Sequence, residues 1–109
     1  MPTVIPFEEI RRSPSAALFE GGEEADVSVF ITRYDHGRGP DLHYHPYAEV
    51  FVVEAGTATF TVGDDRLEVG GGHVVVVPPE TVHGFKNTGE DELRVLGIHP
   101  SPEVRQTDL

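Results

Sequence analysis

From Val27 to His99 the chain is cut into short runs of β-branched and aromatic residues by glycine, proline or paired acidic residues. That punctuation predicts an all-β fold. Val27–Tyr34, Leu42–His45, Glu49–Val53, Thr57–Val62, Arg66–Val69, His73–Val77, Val82–Asn87 and Glu92–His99 each read as a strand. The loop His36–Asp41, the bend at Pro46, and turns at Glu54-Ala55-Gly56, Gly63-Asp64-Asp65, Gly70-Gly71-Gly72, Pro78-Pro79-Glu80 and Thr88–Asp91 separate them. No stretch after residue 27 keeps the 3.6-residue apolar period of an amphipathic helix. Short strands with a turn roughly every six to twelve residues point to a sandwich or barrel.

The ends of the chain are less patterned. Residues 1–26 are expected to form an N-terminal arm, with a short strand at Thr3–Ile5 and one helical turn at Phe7–Arg12. Pro2, Pro6 and Pro14 forbid a long helix there. The segment from Pro100 to Leu109 shows no pattern and is expected to be a loose tail. The reading is therefore an arm over 1–26, a barrel over 27–99 and a tail over 100–109. A chain of 109 residues suffices for one core.

Charge narrows the partners. Acidic residues outnumber basic ones 19 to 8, the net charge is −11, and the densest basic spot is the pair Arg11–Arg12. Nucleic acid is excluded, because neutralising phosphates needs clustered lysine and arginine. There is no cysteine, which removes disulfides and thiolate metal sites. The N-terminus MPTVIPFEEIRR lacks a basic start followed by an apolar stretch, and the longest aliphatic run is Val74–Val77. Neither a signal peptide nor a membrane span is expected, which fits a cytosolic protein.

The chemistry lies in the histidines, which number six: 36, 43, 45, 73, 83 and 99. His43 and His45 are two apart on a strand, so their imidazoles share a face. Glu49 has the same parity across the Pro46 bend. Two imidazoles and a carboxylate converging on one point suit a divalent transition metal, although a His-x-His pair on a strand is more often surface decoration.

The flanking residues decide between these readings. The segment G-R-G-P-D-L-H-Y-H-P-Y-A-E-V-F-V-V-E-A-G, from Gly37 to Gly56, resembles the first motif of the cupin family. The segment from Gly72 to Asn87, G-H-V-V-V-V-P-P-E-T-V-H-G-F-K-N, resembles the second, with Gly72, Pro78, His83 and Asn87 on the pattern. One position departs: Glu80 stands where the family carries glycine. Either the turn there takes another geometry or it tolerates strain.

The resemblance implies a double-stranded β-helix, or jelly-roll β-barrel, with little helix. It implies a metal site of His43, His45, Glu49 and His83 holding one divalent transition metal ion from among Fe, Mn, Zn, Ni and Cu. Three neutral imidazoles and a carboxylate would leave a 2+ ion at about +1 with open positions. Gly37, Gly56, Gly72 and Asn87 are expected in backbone or turn roles. Phe51 and Phe85 share parity with Glu49 and His83; they either line a pocket or pack the core. Tyr34, Tyr44, Tyr47 and Phe60 are weaker candidates of the same kind. His99 ends the last strand, where it either reaches the pocket as an acid–base group or faces solvent. His36, His73 and Glu80 are expected to be exposed.

Fold does not fix function. The intact ligand set suggests a metal-dependent oxygenase-type enzyme, a dioxygenase for example. A metal-dependent isomerase, decarboxylase or lyase, and a non-enzymatic sugar or metabolite binder, are the alternatives. The expected partners are a small molecule and a second copy in a homodimer, with no nucleic acid and no membrane.

Overall fold

The computed structural model describes residues 2–109. After a single 3-10 turn at Phe7–Ile10 come strands β1 (Arg11–Ser13), β2 (Ala16–Glu20), β3 (Ser28–Tyr34), β4 (His43–Tyr44), β5 (Glu49–Ala55) and β6 (Thr57–Val62). They are followed by β7 (Asp65–Gly70), β8 (His73–Val77), β9 (His83–Asn87), β10 (Leu93–His99) and β11 (Thr107–Asp108). The strands form two antiparallel sheets, one of six strands in the order β1-β2-β3-β10-β5-β8, the other of five in the order β11-β4-β9-β6-β7.

The two sheets face each other across one core. Phe51, Val53, Val77, Leu93 and Val95 from the six-stranded sheet meet Ala58, Phe60 and Phe85 from the other. Period-2 alternation is the cause: in β5 Glu49, Phe51 and Val53 are buried while Val50 and Val52 between them are only half-buried. Phe51, Phe60 and Phe85 pack edge-on or tilted with ring centroids 4.9–5.5 Å apart, the arrangement aromatic quadrupoles favour.

The outer face of the six-stranded sheet is also aliphatic. Register aligns Ile31, Leu96, Val52 and Val74 in one row and Val29, Ile98, Val50 and Val76 in the next. The edge residues Val74 and Val76 are each 61% exposed.

The strands expected from residue 27 onward are present, with ends displaced by a residue or two. The two ends of the chain differ from expectation. Thr3–Ile5 is not a strand, and the helical turn stops at Ile10 because Arg11 already takes an extended conformation (φ −71°, ψ 129°). Arg11–Ser13 and Ala16–Glu20 instead form a hairpin, β2 pairing with β3 from Ala16↔Thr32 to Glu20↔Ser28. The C-terminal tail is anchored rather than loose: Thr107 and Asp108 pair with Tyr44 and His43. The Pro102 carbonyl accepts the Gly22 amide at 2.8 Å, and the Ser101 carbonyl accepts the Ser28 hydroxyl at 2.8 Å.

Glu80 has φ +62°, a left-handed conformation, and no other non-glycine residue among those described has positive φ. Its amide donates to the His45 carbonyl at 2.8 Å, so the turn after β8 is tied to the strand end carrying His45. The turn thus takes a left-handed conformation at Glu80, and the strain is tolerated. A left-handed non-glycine residue costs about 1–2 kcal/mol, partly offset by the greater unfolded-state freedom of glycine. Glu80→Gly is therefore expected to stabilise the fold by about 0.5–1 kcal/mol, seen in thermal denaturation as a rise of roughly 3–6 °C. An unchanged or lowered Tm would show that the turn is not strained.

Candidate metal centre

Four side chains from three strands and a bend meet inside the barrel. His43 lies on β4, His45 just after it, Glu49 opens β5 and His83 opens β9. His43 and His83 are partners in register across the five-stranded sheet. Glu49 arrives from the opposite sheet, where it pairs with Val77. All four are nearly inaccessible, between 1% and 6% exposed. One ligand atom from each lies within 4.8 Å of the others.

Glu49 Oε1 is the focus of the cluster. It sits 3.0 Å from His45 Nε2 and 3.1 Å from His83 Nε2. The far nitrogens explain why the Nε2 atoms face inward. His43 Nδ1 reaches the Asp41 carbonyl at 2.6 Å, His45 Nδ1 the Arg105 carbonyl at 2.8 Å, and His83 Nδ1 the Thr81 carbonyl at 2.8 Å. A carbonyl only accepts, so each Nδ1 carries the proton and each neutral ring keeps a lone pair on Nε2. Imidazoles tied in this way are oriented to ligate.

Electrostatics agree with this arrangement. Burial alone would raise the Glu49 pKa, but the imidazoles packed around it, His45, His83 and His99, outweigh it and hold the carboxyl well below its usual range. Burial pushes His43 down, toward the neutral form. For His45, burial also favours the neutral ring, but Glu49 and the Arg105 carbonyl overcome it and raise the pKa.

The donor set fits a divalent ion. His45 Nε2 is buried without an aligned hydrogen-bond partner, although Glu49 Oε1 is near. An unpartnered buried nitrogen is costly unless something else uses its lone pair. An ion about 2.1 Å from each donor holds adjacent ligand atoms about 3.0 Å apart at right angles and about 3.4 Å apart at tetrahedral angles, close to the 3.0 and 3.1 Å spacings around Glu49 Oε1. This buried group of three histidines and one glutamate can hold a metal ion.

A cavity of about 140 Å³ adjoins the cluster, lined by His43, Glu49 and His99 among Phe30, Thr32, Tyr34, Phe51, Phe85 and Val95. Phe51 and Phe85 belong to both the core and the cavity wall, so the two alternatives for them coexist. Tyr34 lines the cavity and Phe60 is core. Tyr44 is half-buried and absent from the cavity lining. His36, His73 and Glu80 are exposed.

His99 is not a solvent-facing strand end: it is 1% exposed, with Nε2 3.1 Å from Glu49 Oε2. Its parity was the available signal, since Leu93, Val95, Gly97 and His99 alternate onto the buried face. Gly97 carries no side chain for a reason specific to the site: a Cβ there would lie 2.8 Å from Glu49 Oε2. The other glycines singled out have turn roles, Gly37, Gly56 and Gly72 having φ of +81°, +87° and +88°. Asn87 is buried and donates to the Tyr34 and Asp91 carbonyls at 2.8 and 2.9 Å, fastening the loop before β10.

The cupin domain family model matches residues 30–99 of this chain. The chain is a cupin. A protein of Streptomyces coelicolor of uncharacterized function is 34% identical over 97 residues, 89% of this chain and 91% of that one. Protein SchB of Streptomyces halstedii is 37% identical over 68 residues, 62% of this cupin but 49% of SchB. Among solved structures, a double-stranded β-helix protein of Klebsiella pneumoniae superposes with a TM-score of 0.77 at 18% identity, covering 95% of this chain and 88% of its own. Oxalate decarboxylase of Bacillus subtilis superposes with a TM-score of 0.82 at 20% identity. The cupin covers 31% of that enzyme's chain. At these identities the superpositions establish the double-stranded β-helix fold. No described helix is long and apolar enough to cross a membrane.

Proposed function

We propose that this cupin binds one divalent transition metal on His43, His45, Glu49 and His83 and uses it in oxygenase-type chemistry on a small molecule held in the adjoining cavity. The carrying observation is the set of three Nε2 lone pairs, each enforced by a carbonyl at the far nitrogen, gathered with one carboxylate oxygen in a buried nest. Four protein ligands leave positions for substrate or dioxygen on a metal that takes more than four. Such a metal supplies Lewis acidity or redox capacity when bound.

The chain's own residues do the rest. Phe30, Phe51 and Phe85 exclude water and receive an apolar body. His43 and Glu49 line the cavity and orient whatever enters toward the ligand cluster. Imidazole and carboxylate together accept several first-row ions. The manganese(II) centres of the similarly folded Bacillus subtilis oxalate decarboxylase make Mn a candidate beside Fe.

The test is metal analysis of protein purified without chelator, followed by oxygen electrode measurements with Fe(II)- and Mn(II)-loaded protein on catechol, diketone and thiol substrates. Uptake that His45→Ala abolishes supports the oxygenase reading. Turnover that proceeds anaerobically would replace it with a decarboxylase, isomerase or lyase, and stoichiometric binding without product would leave a binding protein.

We also propose that the cupin works as a homodimer paired through the outer face of the six-stranded sheet. Two contiguous aliphatic rows across β3, β10, β5 and β8 support this, because monomers rarely leave such patches larger than a few hundred Å² in water. Light scattering is expected to give twice the 11.9 kDa chain mass, and Val52→Glu is expected to return the monomer. A monomeric wild type at micromolar concentration would refute the pairing.

A further inference from the structure

His99 differs from the three ligating histidines at one atom. Their Nδ1 atoms face carbonyls, whereas His99 Nδ1 faces the Tyr47 hydroxyl at 2.7 Å. That hydroxyl already accepts the Arg105 backbone amide at 3.1 Å. A lone pair on Nε2 would face the Glu49 carboxylate, whose Oε2 is 3.1 Å away, so the ring's proton belongs on Nε2 and Nδ1 accepts from Tyr47 O–H. A ring that accepts at Nδ1 carries its proton on Nε2. His99 thus presents N–H where the other three present a lone pair.

That Nε2–H is short of a partner. Glu49 Oε2 is 3.1 Å away but out of line, and Nε2 makes no aligned hydrogen bond. The ring cannot swing to improve the contact: Tyr47 holds its far nitrogen, and Phe30 packs against it at 5.5 Å between centroids. The residue is 1% exposed and borders the cavity. A buried donor left this way is costly unless an acceptor arrives in the cavity. Around it the walls are mostly apolar, with Phe30, Phe51, Phe85 and Val95.

We propose that His99 donates its Nε2–H to an anionic oxygen of the molecule bound in this cavity, a carboxylate, enolate or phenolate on a small and largely apolar body. Tyr47 is the positioning residue that fixes the tautomer, and the tail supplies the amide that fixes Tyr47. The inference rests on the cavity being the small-molecule site; the tautomer itself stands without any metal.

Two-bond ¹H–¹⁵N spectra of the histidine rings read the tautomers directly. Metal-free protein is expected to show His99 protonated on Nε2, with His43 and His83 on Nδ1. Adding Zn(II) is expected to move the Nε2 signals of His43, His45 and His83 while His99 keeps its proton. Tyr47→Phe is expected to turn His99 into a tautomer mixture. A wild-type His99 protonated on Nδ1, or a Zn(II)-ligated His99 Nε2, would overturn the proposal. If Zn(II) moves none of the three, the metal reading fails and the His99 result is unaffected.

The ligand arm uses benzoate and toluene as probes of Zn(II)-loaded protein. Benzoate is expected to shift the His99 Nε2–H signal. His99→Leu is expected to weaken benzoate about tenfold or more, because a hydrogen bond to a charged acceptor is lost. His99→Gln, whose amide places a donor near the same point, is expected to restore most of that loss, and toluene binding is expected to stay level throughout. No benzoate-induced shift at His99, or equal benzoate affinity in wild type and His99→Leu, would overturn the proposal.

Discussion

Glutamine in place of Glu49 should weaken divalent metal binding by at least about a hundredfold while the barrel stays folded. Glu49 is the only carboxylate of the cluster, and its Oε1 touches both His45 Nε2 and His83 Nε2. Glutamine keeps the shape and a carbonyl acceptor but removes the negative charge that attracts a 2+ ion. Changes to groups that merely orient a metal ligand already cost about 10–100-fold, so loss of the ligand's own charge should exceed that. Competition against a chromophoric chelator measures the affinity, and circular dichroism checks the fold. A dissociation constant within tenfold of wild type would show that this cluster does not carry the metal.

Metal uptake near neutral pH should expel a proton, and affinity should fall about tenfold for each pH unit of acidification below the His45 pKa. That pKa is raised from the ordinary histidine value because Glu49 and the Arg105 carbonyl favour the charged ring over the opposing effect of burial. His43, whose pKa burial holds down, contributes less. The same groups set the stability of the metal-free protein. The raised His45 pKa gives stabilisation that is full below about pH 6.5 and lost as pH rises through the folded value. The depressed Glu49 pKa gives stabilisation present above about pH 4.3 and lost as pH falls through its folded value. The metal-free fold is therefore firmest in mildly acidic solution, and the metal is held best on the alkaline side. Calorimetric titration at pH 6.5 in two buffers of different ionisation enthalpy should give different apparent heats. Identical heats would mean that no ring loses a proton on binding.

The fold and the convergence of His43, His45, Glu49 and His83 were legible in the sequence because both rest on local rules. Alternation placed His43 and His45 on one face, turn residues marked nearly every strand end, and two spaced motifs supplied Glu49 and His83. What escaped depends on contacts between distant segments. Ala16–Glu20 became a strand because β3 offered it a partner edge, and nothing in its own residues demanded that. Parity with Leu93, Val95 and Gly97 offered a signal that His99 is interior, but its contacts with Glu49 and Tyr47 come from distant segments. Arg105 acts through its backbone amide and carbonyl, which no side-chain pattern can announce. Glu80 was the reverse case: the departure from glycine was visible, and the left-handed backbone it has to bear needed coordinates.

The match to the cupin family stops at residue 99, yet one imidazole of the cluster is aimed by a carbonyl six positions later, and Gln106 borders the cavity. The family-matched barrel thus supplies the buried cluster of three histidines and a glutamate, and the strand-and-loop segment wrapped over it supplies part of the cavity's rim and the angle of one imidazole. Exchanging that wrap between barrels with the same four side chains would alter which molecules are admitted without replacing any residue of the cluster.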